Sequence, residues 1–279
     1  MVDFCKNHRA SIVGGHIFQY GQYYTFYPKL ERYLDFDELP LVGRSARGPF
    51  HIVMLKNLDS AQRATLGYIA PFVAYVGILA IERVIPLPPQ WLYGVRFFVV
   101  LALIVSFSRP YLSFRPSYPW ASLAIGVAVF CIWVAPDLLF GYRHHWLFEN
   151  SITGPAASTL PPWLKENTRF IVLRTVSSTL LVPVLEELFW RGWMMRWLID
   201  THFQRVPLGK YAPHAFWITA ALFASEHGPY WEVGFVAGVI YNWWMVRTRN
   251  LADCILAHAV TNGVLSIYVL LTGQWQYWL

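Results

Sequence analysis

The sequence predicts an all-α membrane protein, a polytopic helical bundle of about seven transmembrane helices, with six to eight fitting the same pattern. Three observations carry this expectation. Hydrophobic residues make up 56% of the 279-residue chain and charged ones only 14%, against roughly 25% charged in a soluble domain. The apolar residues come in blocks of about 16 to 22, the length of a helix cut to a bilayer core of about 30 Å. Aromatic residues gather at the block ends, among them Trp91, Tyr118, Trp120, Trp231 and Trp278, where an amphipathic ring can sit among lipid headgroups.

Residues 1–60 are polar and turn-rich, with Gly14-Gly15, Pro28, Pro40 and Pro49, and lack a sustained period of 3.6 or 2. This segment reads as a cytoplasmic or disordered extension. Met54 would serve equally as a start, which would make the segment an upstream mis-start. No apolar stretch follows its first charges, so a cleaved secretory signal is not expected. Residues 61–279 form the membrane domain. Its spans are Leu66 to Ile81, Trp91 to Phe107, Trp120 to Pro136, Phe170 to Trp190, Pro213 to Ser225, Trp231 to Val246 and Leu251 to Leu271. With the N-terminus inside, seven basic residues fall in short inner loops and four in outer ones, a bias in favour of a cytoplasmic N-terminus. The run after Arg191, with Arg196 and Asp200 among apolar residues, suggests an interfacial amphipathic helix.

The net charge of +6 is spread over block ends instead of forming a stripe, which argues against a nucleic-acid partner. Cys5, Cys131 and Cys254 make neither a disulfide framework nor a CxxC pair.

Chemistry concentrates in three clusters of the last four spans. In Val182-Pro-Val-Leu-Glu-Glu-Leu-Phe-Trp-Arg191 two carboxylates interrupt an apolar helix, each at an insertion cost of roughly 2.5 to 3.5 kcal/mol at membrane depth. Glu187 and Arg191 are four apart in the favourable order for an ion pair. Glu186 lies about 100° around the helix and is left to face something else, which makes it the candidate general base. His227 closes the short fifth block. His258 and Asn262, four apart, share a face of the last span. Taken singly, these are a charge pair, an interfacial histidine and helix-helix glue. Together they assemble what amide hydrolysis needs, an activated water and donors for an oxyanion. Glu186, His227 and His258 would also make three zinc ligands with an open fourth position. The HExxH helix is absent, so water activation without a metal is preferred and no cofactor is expected. GxSxG is absent as well.

Glu186-Glu187-xxx-Arg191, Phe223-xxx-His227 and His258-xxx-Asn262 are similar in order and type to the motifs of the CAAX-protease and bacteriocin-processing family of intramembrane glutamic proteases. The resemblance implies an intramembrane endopeptidase. The residues matching Glu186 and His227 would activate water, those matching His258 and Asn262 would stabilise the oxyanion, and Glu187 and Arg191 would support them. From about residue 65 onward the chain resembles the bacterial CAAX prenyl protease-related branch associated with exosortase systems. That branch implies a multi-pass protein of the bacterial inner membrane acting on a membrane-associated peptide or protein, with exosortase or exopolysaccharide proteins as partners. Two other classes compete: a catalytically silent scaffold or immunity-type protein, and a proton-coupled transporter built on the same acid and imidazole groups. A simple in-out count sets Glu186 near the inner face and His227 near the outer. A shared site therefore requires the fifth span to be tilted or to start after Arg205, or the fourth to start later than Phe170.

Overall fold

The computed structural model describes residues 58–278, except 83, 85 and 86, together with a hairpin near the N-terminus. In that hairpin β1, His16–Gln19, pairs antiparallel with β2, Gln22–Thr25, His16 opposite Thr25 and Gln19 opposite Gln22. Strands of four residues are too short to register as a sustained period of 2, so the sequence pattern passes over them. The rest of the 1–57 segment lies outside the described residues. Hairpin and helical body belong to separate units of the chain, Met1–Val53 and Met54–Leu279.

Each of the seven apolar blocks folds as a helix. They are α1 Ser60–Glu82, α2 Pro89–Tyr111, α3 Pro119–Phe140, α4 Thr168–Trp197, α5 Pro213–Ser225, α6 Trp231–Thr248 and α7 Leu251–Thr272. Five of them, α1 to α4 and α7, are long and apolar enough to cross a membrane. With 13 residues, α5 rises only about 20 Å, short of a 30 Å core. Proline opens α2, α3 and α5, where its missing N–H is one the helix could not have paired. Asp59 and Gln62 cap α1 reciprocally, each backbone N–H donating to the other's side chain at 2.7 and 3.0 Å. Large apolar side chains such as Val73, Phe98, Leu139, Leu222 and Leu271 stand exposed around the bundle. A fold made for water would bury such a belt, and lipid is the solvent that suits it.

The amphipathic helix expected after Arg191 is instead the last two turns of α4. Arg196 is buried there, its guanidinium donating to the carbonyls of Gly192 and Val206 at 2.6 and 3.3 Å. Satisfied carbonyls let the basic residue stay inside the bundle. Two wide π turns, Ser177–Leu181 and Leu188–Met194, bracket Val182–Glu187 in α4. Pro183 supplies a local reason for the first, since proline has no N–H to give and its ring crowds the carbonyl four residues back.

α3 and α7 run side by side. Asp253, buried in the first turn of α7, accepts the backbone N–H groups of Ser117 and Tyr118 at 2.9 and 2.8 Å and the Ser122 hydroxyl at 3.0 Å. It thereby caps the start of α3 from another helix. Asp253→Ala is expected to cost about 3 kcal/mol, because two amide donors lose their acceptor. Thermal unfolding in detergent reads this, with Asp253→Asn falling between because one acceptor oxygen remains. Further along, Gly126 lets α3 approach the backbone of α7 at Ala257, and Thr261 donates to the Gly126 carbonyl at 2.8 Å.

Candidate active site

Glu187 and Arg191 form the base of the site. Both are fully buried, and the carboxylate accepts from the guanidinium at 3.1 Å across one turn of α4. The rest of Arg191 is held by α6, donating to Asn242 Oδ1 at 2.9 Å and the Gly238 carbonyl at 3.3 Å. Asn242 in turn donates to the Phe216 carbonyl of α5 at 2.8 Å. Phe223 stacks on the guanidinium at 4.5 Å. One cation therefore ties α4, α5 and α6 together with nearly all its polar edges occupied.

The same Glu187 oxygen that meets Arg191 also takes His258 Nδ1 at 2.9 Å. A carboxylate can only accept, so Nδ1 carries a proton and Nε2 is the ring edge that faces Glu186, 3.9 Å from its Oε2. Tyr241 stacks on the His258 ring at 5.0 Å and is anchored by its own hydroxyl, which donates to Thr261 at 2.7 Å. His258 is thus set between two carboxylates, one fixed by Arg191 and one not. With His258 protonated, the four groups Glu186, Glu187, Arg191 and His258 sum to zero charge. Glu186 Oε2 is buried and has no protein hydrogen-bond partner.

Glu186, His227, His258 and Asn262 line one cavity of about 400 Å³. The opposite-face problem of the in-out count disappears, and the fifth helix does start after Arg205, at Pro213. α4 starts at Thr168, not later, but it runs on to Trp197, so Glu186 lies about 16 Å before its end. From that end the short α5 climbs back to a similar height and delivers His227 just past its last turn.

The His227 Nδ1 lies 2.8 Å from the Phe223 carbonyl. A carbonyl cannot donate, so Nδ1 is protonated and Nε2 of the neutral ring keeps a lone pair. Gly234 on α6 faces this ring, and a Cβ there would come within 3.1 Å of it. Asn262 donates from Nδ2 to the Ser178 carbonyl at 2.9 Å, a carbonyl in the first wide turn of α4, where the regular ladder is interrupted. That bond orients the amide and leaves its second N–H for the cavity.

The structure brings Glu186, His227, His258 and Asn262 together along one cavity, and Glu187, buried with Arg191, is also the partner of His258. The sequence reading passed over Asn242, Glu82 and Arg96, and took Arg174 only as a possible charge partner of the glutamates, not as part of the polar end of the cavity. Asn242 was open to detection as the lone amide within the apolar run of α6, and Arg96 and Arg174 as cations inside predicted spans. Walls from α1, α2 and α3, including Tyr75 and Trp133, extend the cavity beyond the last four helices. Among the described residues no group of three His, Cys, Asp or Glu side chains is arranged to hold a metal ion.

A family model described as Type II CAAX prenyl endopeptidase Rce1-like matches residues 168–264. The matched segment, about a third of the chain, contains Glu186, Glu187, Arg191, His227, His258 and Asn262. No curated protein and no solved structure matches the chain. Residues 168–264, which carry the acid, imidazole and amide groups of this cavity within a multi-pass helical bundle, are thus similar to the Rce1-like type II CAAX prenyl endopeptidases.

Proposed function

We propose that this protein is an intramembrane endopeptidase that hydrolyses a membrane-associated peptide with a water activated by Glu186 and His227. The observation that supports it most is the convergence of Glu186, His227, His258 and Asn262 on one cavity inside an apolar bundle. Glu186 has a carboxylate oxygen without a protein partner, and His227 has its lone pair on Nε2. Either can take a proton from water while the oxygen forms a bond to the carbonyl carbon. The carbonyl oxygen becomes an oxyanion. Asn262 offers an N–H to it, and His258, held by Glu187 through Nδ1, turns its Nε2 edge to the same cavity. When the C–N bond breaks, the abstracted proton passes to the leaving amine, and water is added across the peptide bond. No metal takes part in this scheme. The same reading places the chain in the bacterial inner membrane with its N-terminus in the cytoplasm, and its substrate among membrane proteins such as those of exosortase systems.

The test is cleavage of a membrane-peptide library by the purified protein in lipid, with and without a chelator, alongside Glu186→Gln. Cleavage that survives the chelator and disappears in the variant supports a carboxylate-activated water. Loss on chelation would transfer the chemistry to a metal. Asn262→Ala is expected to lower kcat by about 10² to 10³, the usual loss for one oxyanion donor, with KM little changed. A silent scaffold predicts no cleavage and full function for Glu186→Gln in cells.

A further inference from the structure

The cavity that holds Glu186 does not end at the groups just assigned. It continues toward the start of α4, where Glu82, Tyr93, Arg96, Arg174 and Trp278 wall it. The proposed hydrolysis uses none of them. Along α4 the wall is a stripe of residues four apart, Arg174, Ser178, Val182 and Glu186. In a regular helix, twelve residues at about 100° each would turn Arg174 about 120° away from Glu186. The wide turn at Ser177–Leu181 absorbs one extra residue, which brings the two within about 20° of each other. The same distortion that frees the Ser178 carbonyl for Asn262 also turns a guanidinium into the cavity.

Two cations meet at this end. Arg96 is buried, pairs with Glu82 at 2.9 Å, and lies over the rings of Tyr75 and Tyr93 at 4.9 and 4.7 Å. Arg174 lies over Trp278 at 5.2 Å and Tyr93 at 5.9 Å. Neither guanidinium has to be bare to take a ligand. Each carries five N–H donors, and stacking engages its face while its edge can still meet a carboxylate. A planar fork held by aromatic rings in a low-dielectric cavity is suited to binding a carboxylate through two parallel hydrogen bonds.

We propose that Arg174, with Arg96 beside it, forms a carboxylate-binding subsite that selects peptides carrying an anionic group at a set distance from the cut. Arg174 and Glu186 are separated by about 17 Å along α4. An extended chain advances about 3.4 Å per residue. The anionic group therefore lies roughly five residues from the scissile bond. The register rests on the proteolytic reading, whereas the binding itself needs no cleavage.

Fluorescent apolar decapeptides in three forms test this: one ending in a free carboxylate, one ending in an amide, and one amidated with an internal Asp. Their affinities are measured for full-length Glu186→Gln protein in lipid nanodiscs, with thermal unfolding as the control for folding. At least one acidic form is expected to bind about tenfold more tightly than the uncharged amide, and which one identifies a terminal or a side-chain carboxylate as the ligand. Arg174→Gln should erase the preference, and Arg174→Lys should retain part of it. Equal affinities, no binding of any form, or a preference that survives Arg174→Gln overturns the proposal. The same peptides given to the unmutated enzyme separate the two claims. Selective binding without cleavage would leave the subsite standing and refute the proteolytic reading, and cleavage indifferent to charge would do the reverse.

Discussion

Glu186→Gln is expected to lower kcat/KM for peptide hydrolysis by about 10² to 10⁴ while leaving the protein at least as stable as before. The two effects have one cause. The Oε2 of Glu186 is buried without a protein hydrogen-bond partner, and His258 Nε2 stands 3.9 Å away. Holding a carboxylate in that condition works against folding, whereas a neutral amide of the same shape relieves the charge. A gain of about 1 kcal/mol would raise the unfolding temperature by about 2 to 4 °C in a chain of this size. Loss of rate together with a gain in stability is the signature of a group kept for chemistry. Glu187→Gln should behave differently. Its Oε1 serves both Arg191 and His258, so the amide removes charge from two donors and both rate and stability should fall. Parallel unfolding and cleavage assays on the two variants read the contrast. Equal stability losses with unchanged cleavage would return both glutamates to a structural role.

That contrast between adjacent glutamates was legible in the sequence because it follows from helix geometry. An acid four residues before Arg191 has to share its face, and the preceding acid has to point elsewhere. The seven apolar blocks were legible for the same kind of reason, since their length and their aromatic ends are local properties. Two things were not. The wide turns of α4 are a property of the ladder, and Pro183 signals a disturbance without saying which way the helix rotates beyond it. Facing residues computed with an unbroken 100° step are therefore wrong across the bulge, and Arg174 stayed hidden as a cavity residue. The second is depth. Charges after Arg191 look like a helix lying at the interface until Arg196 is seen to donate to two carbonyls inside the bundle. Whether a cation is at the surface or buried depends on acceptors distant in sequence, here Val206, and no local pattern contains that.

The largest stability effect should come from Arg191. Arg191→Met removes the cation that α4, α5 and α6 share and leaves Glu187 buried beside His258 alone. Removing one partner of a buried ion pair typically costs 3 to 5 kcal/mol, most of it the penalty for the charge left behind, so about 4 kcal/mol is expected here. Arg191→Lys should recover little, because a single ammonium cannot reach Glu187, Asn242 and the Gly238 carbonyl with the fork of a guanidinium. The informative variant is the double one, Glu187→Leu with Arg191→Met. If the loss in Arg191→Met is chiefly a stranded carboxylate, deleting both charges should restore a good part of the stability, giving a favourable coupling in a double-mutant cycle of about 1 to 3 kcal/mol. Activity should not return with it. His258 would have lost the acceptor that keeps its proton on Nδ1 and its Nε2 edge toward Glu186, and that loss is independent of whether the helices still pack. A stable but inactive double variant would show that the pair is retained for the placement of His258. A double variant as unstable as Arg191→Met would instead assign the loss to the hydrogen bonds with Asn242 and Gly238 and to the Phe223 stacking, and not to the stranded charge.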